Sequence, residues 1–89
     1  MVYDTNNDSH PYLRLPVPSL RTLAASTTLD PPAAMWRDIT AAAQTLLERA
    51  DDGKVDPFDV HLVVHQVHRD VTIGQIARVM LAWLQIPRK

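Results

Sequence analysis

An all-α fold, three helices behind an extended N-terminal arm, is what this 89-residue sequence predicts. Three observations carry the prediction. From about residue 31 onward, apolar side chains recur at i, i+3, i+4 and i+7. Each periodic run opens on a capping signal, Asp30-Pro31, Asp56-Pro57 or Thr72, where a side-chain oxygen can take up a free N–H and proline needs none. The first thirty residues instead carry Pro11, Pro16 and Pro18, which fix φ and remove donors. The chain divides into an arm over 1–29 and a helical domain over 30–89, with helices at about 31–51, 57–69 and 73–85.

In the arm, "HPYLRLPVPSL" sets Leu13, Leu15 and Val17 against polar or proline positions, the pattern of an extended arm or edge strand. Termini fray unless they are tied down. The arm is therefore partly disordered, or docks on a partner through those three side chains. "SLRTLAAS" leaves room for one short helical turn capped by Ser19.

The first helix starts at the Asp30 cap with Pro31 in the first helical position. Met35, Ile39, Ala42, Ala43, Leu46 and Ala50 share its apolar face, widened by Trp36 and Leu47. Arg37, Asp38, Gln44, Thr45 and Glu48 take the other side. Gly53 is the expected stop. The second helix is capped by Asp56, with Val55 placed to staple against Val60; Val60, Val63, Val64 and Val67 form its core stripe. The third opens on a Thr72/Gln75 capping box, with Val71 placed to staple against Ile76. It stops before Pro87, with Arg88 and Lys89 beyond its negative end.

That last helix is apolar most of the way round: Ile73, Ile76, Ala77, Met80, Trp83 and Leu84 are flanked by Val79 and Leu81. Such a helix is buried on more than one side, and two others of this size leave part of it bare. Either the arm covers the rest or a second molecule does. The sequence reading takes the second course, a symmetric homodimer through the C-terminal helix. Val79, Met80, Trp83 and Leu84 are then interface residues, with Trp83 the anchor and Leu13, Leu15 and Val17 of the arm assisting.

"DVHLVVHQVHRDVT" holds three of the four histidines, His61, His65 and His68. Histidines four apart on a helix can share a zinc, and a third can complete a three-nitrogen site. "HLVVH" lacks the glutamate of HExxH, and no cysteine is available. These three are the weaker metal candidates, and a packing or interface edge is the stronger reading. "ERADDGKVDPFD" can be laid on a calcium loop with Asp52, Asp56 and Asp59 at the fifth, ninth and twelfth places. Ala50 then stands where an oxygen ligand belongs, and the acidic groups read as caps and a solvated turn.

"RDVTIGQIARVML" is similar in cadence to a helix-turn-helix, with Asp70-Val71-Thr72 where such turns often have Gly-Val-Ser. The similarity covers some twenty residues. Gln66 stands where a small residue is usual, and Arg69 where an apolar one is. It implies Thr72, Gln75 and Arg78 as DNA-facing residues.

Composition narrows the function. Nine basic and ten acidic residues leave no basic excess, against a dedicated nucleic-acid domain. With no cysteine, one glutamate and two glycines, there is neither a thiol nucleophile nor a phosphate loop. "MVYDTNNDSH" has no apolar signal core, and no run is long enough to span a bilayer. The expectation is a cytoplasmic, non-enzymatic regulatory or adaptor protein without cofactor or membrane contact. It acts by binding a protein, masking an interaction surface of a transcription factor or enzyme. The alternative is a helix-turn-helix transcriptional regulator, and the third reading a histidine metal module.

Overall fold

The computed structural model describes residues 10–86. The start of the arm and the closing Arg88 and Lys89 lie outside them. Four helices follow one another, α1 (Val17–Ala25), α2 (Ala33–Arg49), α3 (Pro57–His65) and α4 (Ile73–Leu84). The all-α class is as the sequence predicts, with one helix more.

The additional helix, α1, comes from the segment read as an arm. Pro16 is its N-cap residue and Pro18 falls in its first turn, with no side-chain cap. Proline costs nothing there, because first-turn N–H groups have no intrahelical acceptor. Prolines that look like helix breakers thus start one. Leu20 and Ala24 are buried, four apart on one face, and α1 packs chiefly against α4. Ahead of it the arm is extended for one rung: Val55 N–H donates to the Tyr12 carbonyl at 2.9 Å and Arg14 N–H to the Val55 carbonyl at 3.1 Å. Leu13, at the centre of this parallel bridge, is buried.

The start of α2 also differs from the prediction. Pro32 is its N-cap residue and the helix begins at Ala33. A residue before proline is pushed out of the α region, so Pro31 cannot be the first helical residue when Pro32 follows it. Asp30, freed from capping, pairs instead with Arg78. The helix ends at Arg49, and Gly53 supplies the positive φ, 67°, of the turn that follows. The other two starts are as the sequence predicts. Asp56 accepts from Phe58 N–H at 2.9 Å, and the Thr72/Gln75 box closes both ways at 3.0 and 3.2 Å.

The central element is α4, with α1, α2 and α3 all packed on it. Gly74, Ile76, Ala77, Val79, Met80, Trp83 and Leu84 are buried within the one chain. This overturns the placement of Val79, Met80, Trp83 and Leu84 on an intermolecular interface. Once α1 exists, three helices suffice to cover the fourth, and no second molecule is needed for its apolar girth.

Candidate functional site

The residues singled out by sequence scatter when the chain folds. Of the arm trio, Leu13 is buried and Leu15 and Val17 pack partly buried against the core. All three serve this chain's own interior. Thr72 and Gln75 spend their side chains on the capping box. Arg78 reaches across to the α1–α2 connection, with Nη1 3.0 Å from Asp30 Oδ1 and Nη2 donating to the Thr27 carbonyl at 2.6 Å. The end of α1 lies on Gly74, where an added Cβ would stand 2.6 Å from Ser26 Oγ. The end of α1 thus covers α4 at Gly74, while Thr72 stays exposed and Gln75 and Arg78 half-buried.

The histidine row separates in the same manner. His61 Nε2 is 3.1 Å from the Val71 carbonyl and holds the turn between α3 and α4. His68 Nε2 is 2.6 Å from Asp38 Oδ2 and ties the end of α3 to α2. His65 is exposed, its ring 5.6 Å from that of His61. Among the described residues, no group of three His, Cys, Asp or Glu side chains stands close enough to hold a metal ion. The acidic turn is likewise committed. Asp52 accepts from Arg14 at 3.2 Å and from Lys54 N–H at 3.1 Å, and this hydrogen bonding, the arginine's above all, holds its carboxyl below the usual range.

Two surfaces remain that sequence periodicity assigned otherwise. The first is a groove of about 1030 Å³ between the outer side of α2 and the end of α4. Ala33, Arg37, Thr40, Ala41 and Gln44 line it, a second α2 stripe at i, i+4, i+7, i+8 and i+11 beside the core stripe. Trp36, Trp83 and Ile86 supply its large apolar lining. Trp36, expected to widen the core face, is 36% exposed. The stripe was present in the sequence, masked by the stronger apolar face next to it.

The second surface is the outer face of α3. This helix buries Pro57, Val60 and Val64, a narrower stripe than the four valines predict. Val63, and Val67 two residues beyond the end of the helix, are 44% and 72% exposed, beside Phe58 at 50% and Leu62 at 65%. A nine-residue helix meeting α2 and α4 along one line has room for three buried positions, and further valines are left outside. A smaller groove of about 300 Å³, lined by Val63, Val67, Ala41 and Thr45 among others, runs between α3 and α2.

Compared with known proteins, the chain matches no family model, no curated protein and no solved structure. None of its described helices is long and apolar enough to cross a membrane.

Proposed function

We propose that the protein is a small non-enzymatic regulatory adaptor, which binds another protein and masks a surface that partner uses elsewhere. The observation that carries this reading is the Trp36 groove. Its volume, about 1030 Å³, is at the upper end of small-molecule sites, and it lies open along α2. A mostly apolar groove against a helix is a surface that can accept an amphipathic helix from a partner.

The lining specifies the occupant's chemistry. Ala33 and Ala41 allow close approach, Trp36 and Ile86 offer apolar contact, and Thr40 and Gln44 offer hydrogen bonds at the rim. Among the described residues, Arg37 has no ion-pair partner, so a carboxylate on the incoming helix completes it. The partner segment is an apolar-faced helix with an acidic flank. Buried aromatics dominate such interfaces, and Trp36 takes the anchoring role that sequence periodicity gave to Trp83.

Affinity capture from native extract tests this, with wild-type, Trp36→Ala and Ala41→Glu proteins as baits. A discrete set of proteins should be retained by the wild type and lost with Ala41→Glu, whose side chain fills the groove with like charge. Trp36→Ala should weaken the complex about thirtyfold, the loss of one interface hot spot. Equal retention by all three baits, or retention abolished by nuclease, refutes the reading.

A further inference from the structure

The fold does not gather three ligands from the histidine row, but it does hold two of them together. We propose that His61 and His65 form a two-nitrogen chelate on α3 for a divalent late transition ion, copper(II) ahead of zinc, with water completing the coordination.

Spacing and distance come first. The two residues stand at i and i+4 within α3, which sets both imidazoles on one helix face, as in helical zinc motifs. Their ring centres are 5.6 Å apart and the ring planes are tilted by 33°. With nitrogen–metal bonds of about 2.0–2.1 Å, two rings that share one ion stand roughly 4.5–6 Å apart, centre to centre. The pair already has that separation, so closing on an ion asks for ring rotation and no backbone movement.

Proton placement is the second observation. A carbonyl oxygen only accepts, so His61 Nε2, 3.1 Å from the Val71 carbonyl, carries the ring proton. In the neutral ring Nδ1 then keeps the lone pair, and it has no hydrogen-bond partner among the described residues. A backbone carbonyl on one ring nitrogen is the usual device for fixing the tautomer and orientation of an imidazole that ligates through the other. His65 is exposed and its ring makes no hydrogen bond among the described residues, so an ion there displaces no existing bond. It is also the last residue of α3, at the helix end where the backbone dipole favours a cation. His68 is held by Asp38 on α2, which limits the site to two nitrogens.

The donor set selects the ion. Two imidazoles with open positions for water suit the tetragonal coordination of copper(II), which a given nitrogen site binds more tightly than zinc, whereas calcium and magnesium require oxygen ligands. Half the ligand set of a structural zinc site corresponds to a zinc affinity on the order of 10–100 μM, with copper tenfold tighter or more. A bound ion links the last turn of α3 through His61 to the Val71 carbonyl ahead of α4. The site shares no residue with the Trp36 groove, so the two assignments stand or fall separately.

Titration of the full chain with copper(II) chloride, followed by the histidine ring resonances, tests the proposal, because the paramagnetic ion broadens its nearest neighbours. His61 and His65 should broaden first, ahead of His10 and His68. By calorimetry, His65→Ala and His61→Gln should each weaken copper binding at least about tenfold, whereas His10→Ala and His68→Ala should leave it near the wild-type value. Glutamine keeps a donor for the Val71 carbonyl, so His61→Gln removes the ligand and spares the turn. Zinc chloride at about 1 mM should raise the urea midpoint of the wild type and leave that of His65→Ala unchanged. Copper binding that survives His65→Ala overturns the proposal. So does broadening that begins at Met1 or His10, the mark of an adventitious ion only, or a chain that binds neither ion.

Discussion

Replacing Gly74 by alanine tests whether α1 is seated on α4. A Cβ at this position would lie 2.6 Å from Ser26 Oγ, 3.1 Å from the Leu23 carbonyl oxygen and 3.1 Å from Thr27 Cγ2. The first distance is well inside van der Waals contact and the other two are a few tenths of an ångström too short, and two of the atoms are held in place. The carbonyl is backbone, and Ser26 Oγ is held by its own hydrogen bond to that carbonyl at 2.6 Å. Turning Ser26 away forfeits about 1 kcal/mol, and lifting the end of α1 costs about 1–3 kcal/mol as overpacking. Alanine returns at most about 1 kcal/mol of helix propensity. The net expectation is a loss of about 1–3 kcal/mol. In urea this is a fall in midpoint of about 1 M with an unchanged slope. In a Ser26→Ala background the closest atom is gone, and the penalty of Gly74→Ala should fall by about half, a coupling expected of touching residues. A Gly74→Ala protein as stable as the wild type would refute the seating of α1. So would a penalty that ignores Ser26.

Three further outcomes follow from the same packing. Leu20→Ala should cost about 2–5 kcal/mol in chemical denaturation, the range for a fully buried leucine; a loss near zero would mean that α1 is a loose arm after all. Arg78→Met keeps the stem but removes the hydrogen bonds to Asp30 and the Thr27 carbonyl, leaving that carbonyl to water; the expected loss is about 1–2 kcal/mol, read from the urea midpoint. Asp52, whose pKa is lowered by Arg14 and the Lys54 N–H, contributes stability that is complete above the ordinary carboxylate range. That stability is lost as pH falls through the lower folded-state value. Asp52→Asn should therefore flatten part of the acid limb of a stability-versus-pH profile and leave its neutral plateau close to the wild type.

Where a local group has only one use, the sequence is legible. Asp56, Thr72 and Gln75 cap as their spacing requires, and the α2 core residues Met35, Ile39, Ala42 and Ala43 are buried as their period predicts. Where two physical readings compete over distance, it is not. Pro16 and Pro18 suit an extended arm and a helix start equally well, and only the contact of Leu20 with the core decides between them. The girth of α4 required a cover, but periodicity does not name it, so the choice between α1 and a second molecule lay outside the pattern. Val63 and Val67 show the opposite limit. Their spacing predicts a core stripe, but the width of the contact on α3 is set by where α2 and α4 lie, which no local window contains. The candidate surfaces, Trp36 on α2 and Leu62 on α3, are for this reason the places where apolar residues exceed what the interior can hold.

The pairing of α1 with α4 also has a kinetic consequence. Arg78 binds the carbonyl of Thr27 across 51 residues, and the two helices that lie outermost along the described chain make the most extensive packing pair. Small helical proteins usually fold fast because their contacts are local. Here the central helix cannot be covered until a loop containing α2 and α3 has closed, and that closure costs entropy before any burial repays it. The chain should therefore fold more slowly than other four-helix domains of its length. Leu20→Ala, acting on that closure, should chiefly slow folding.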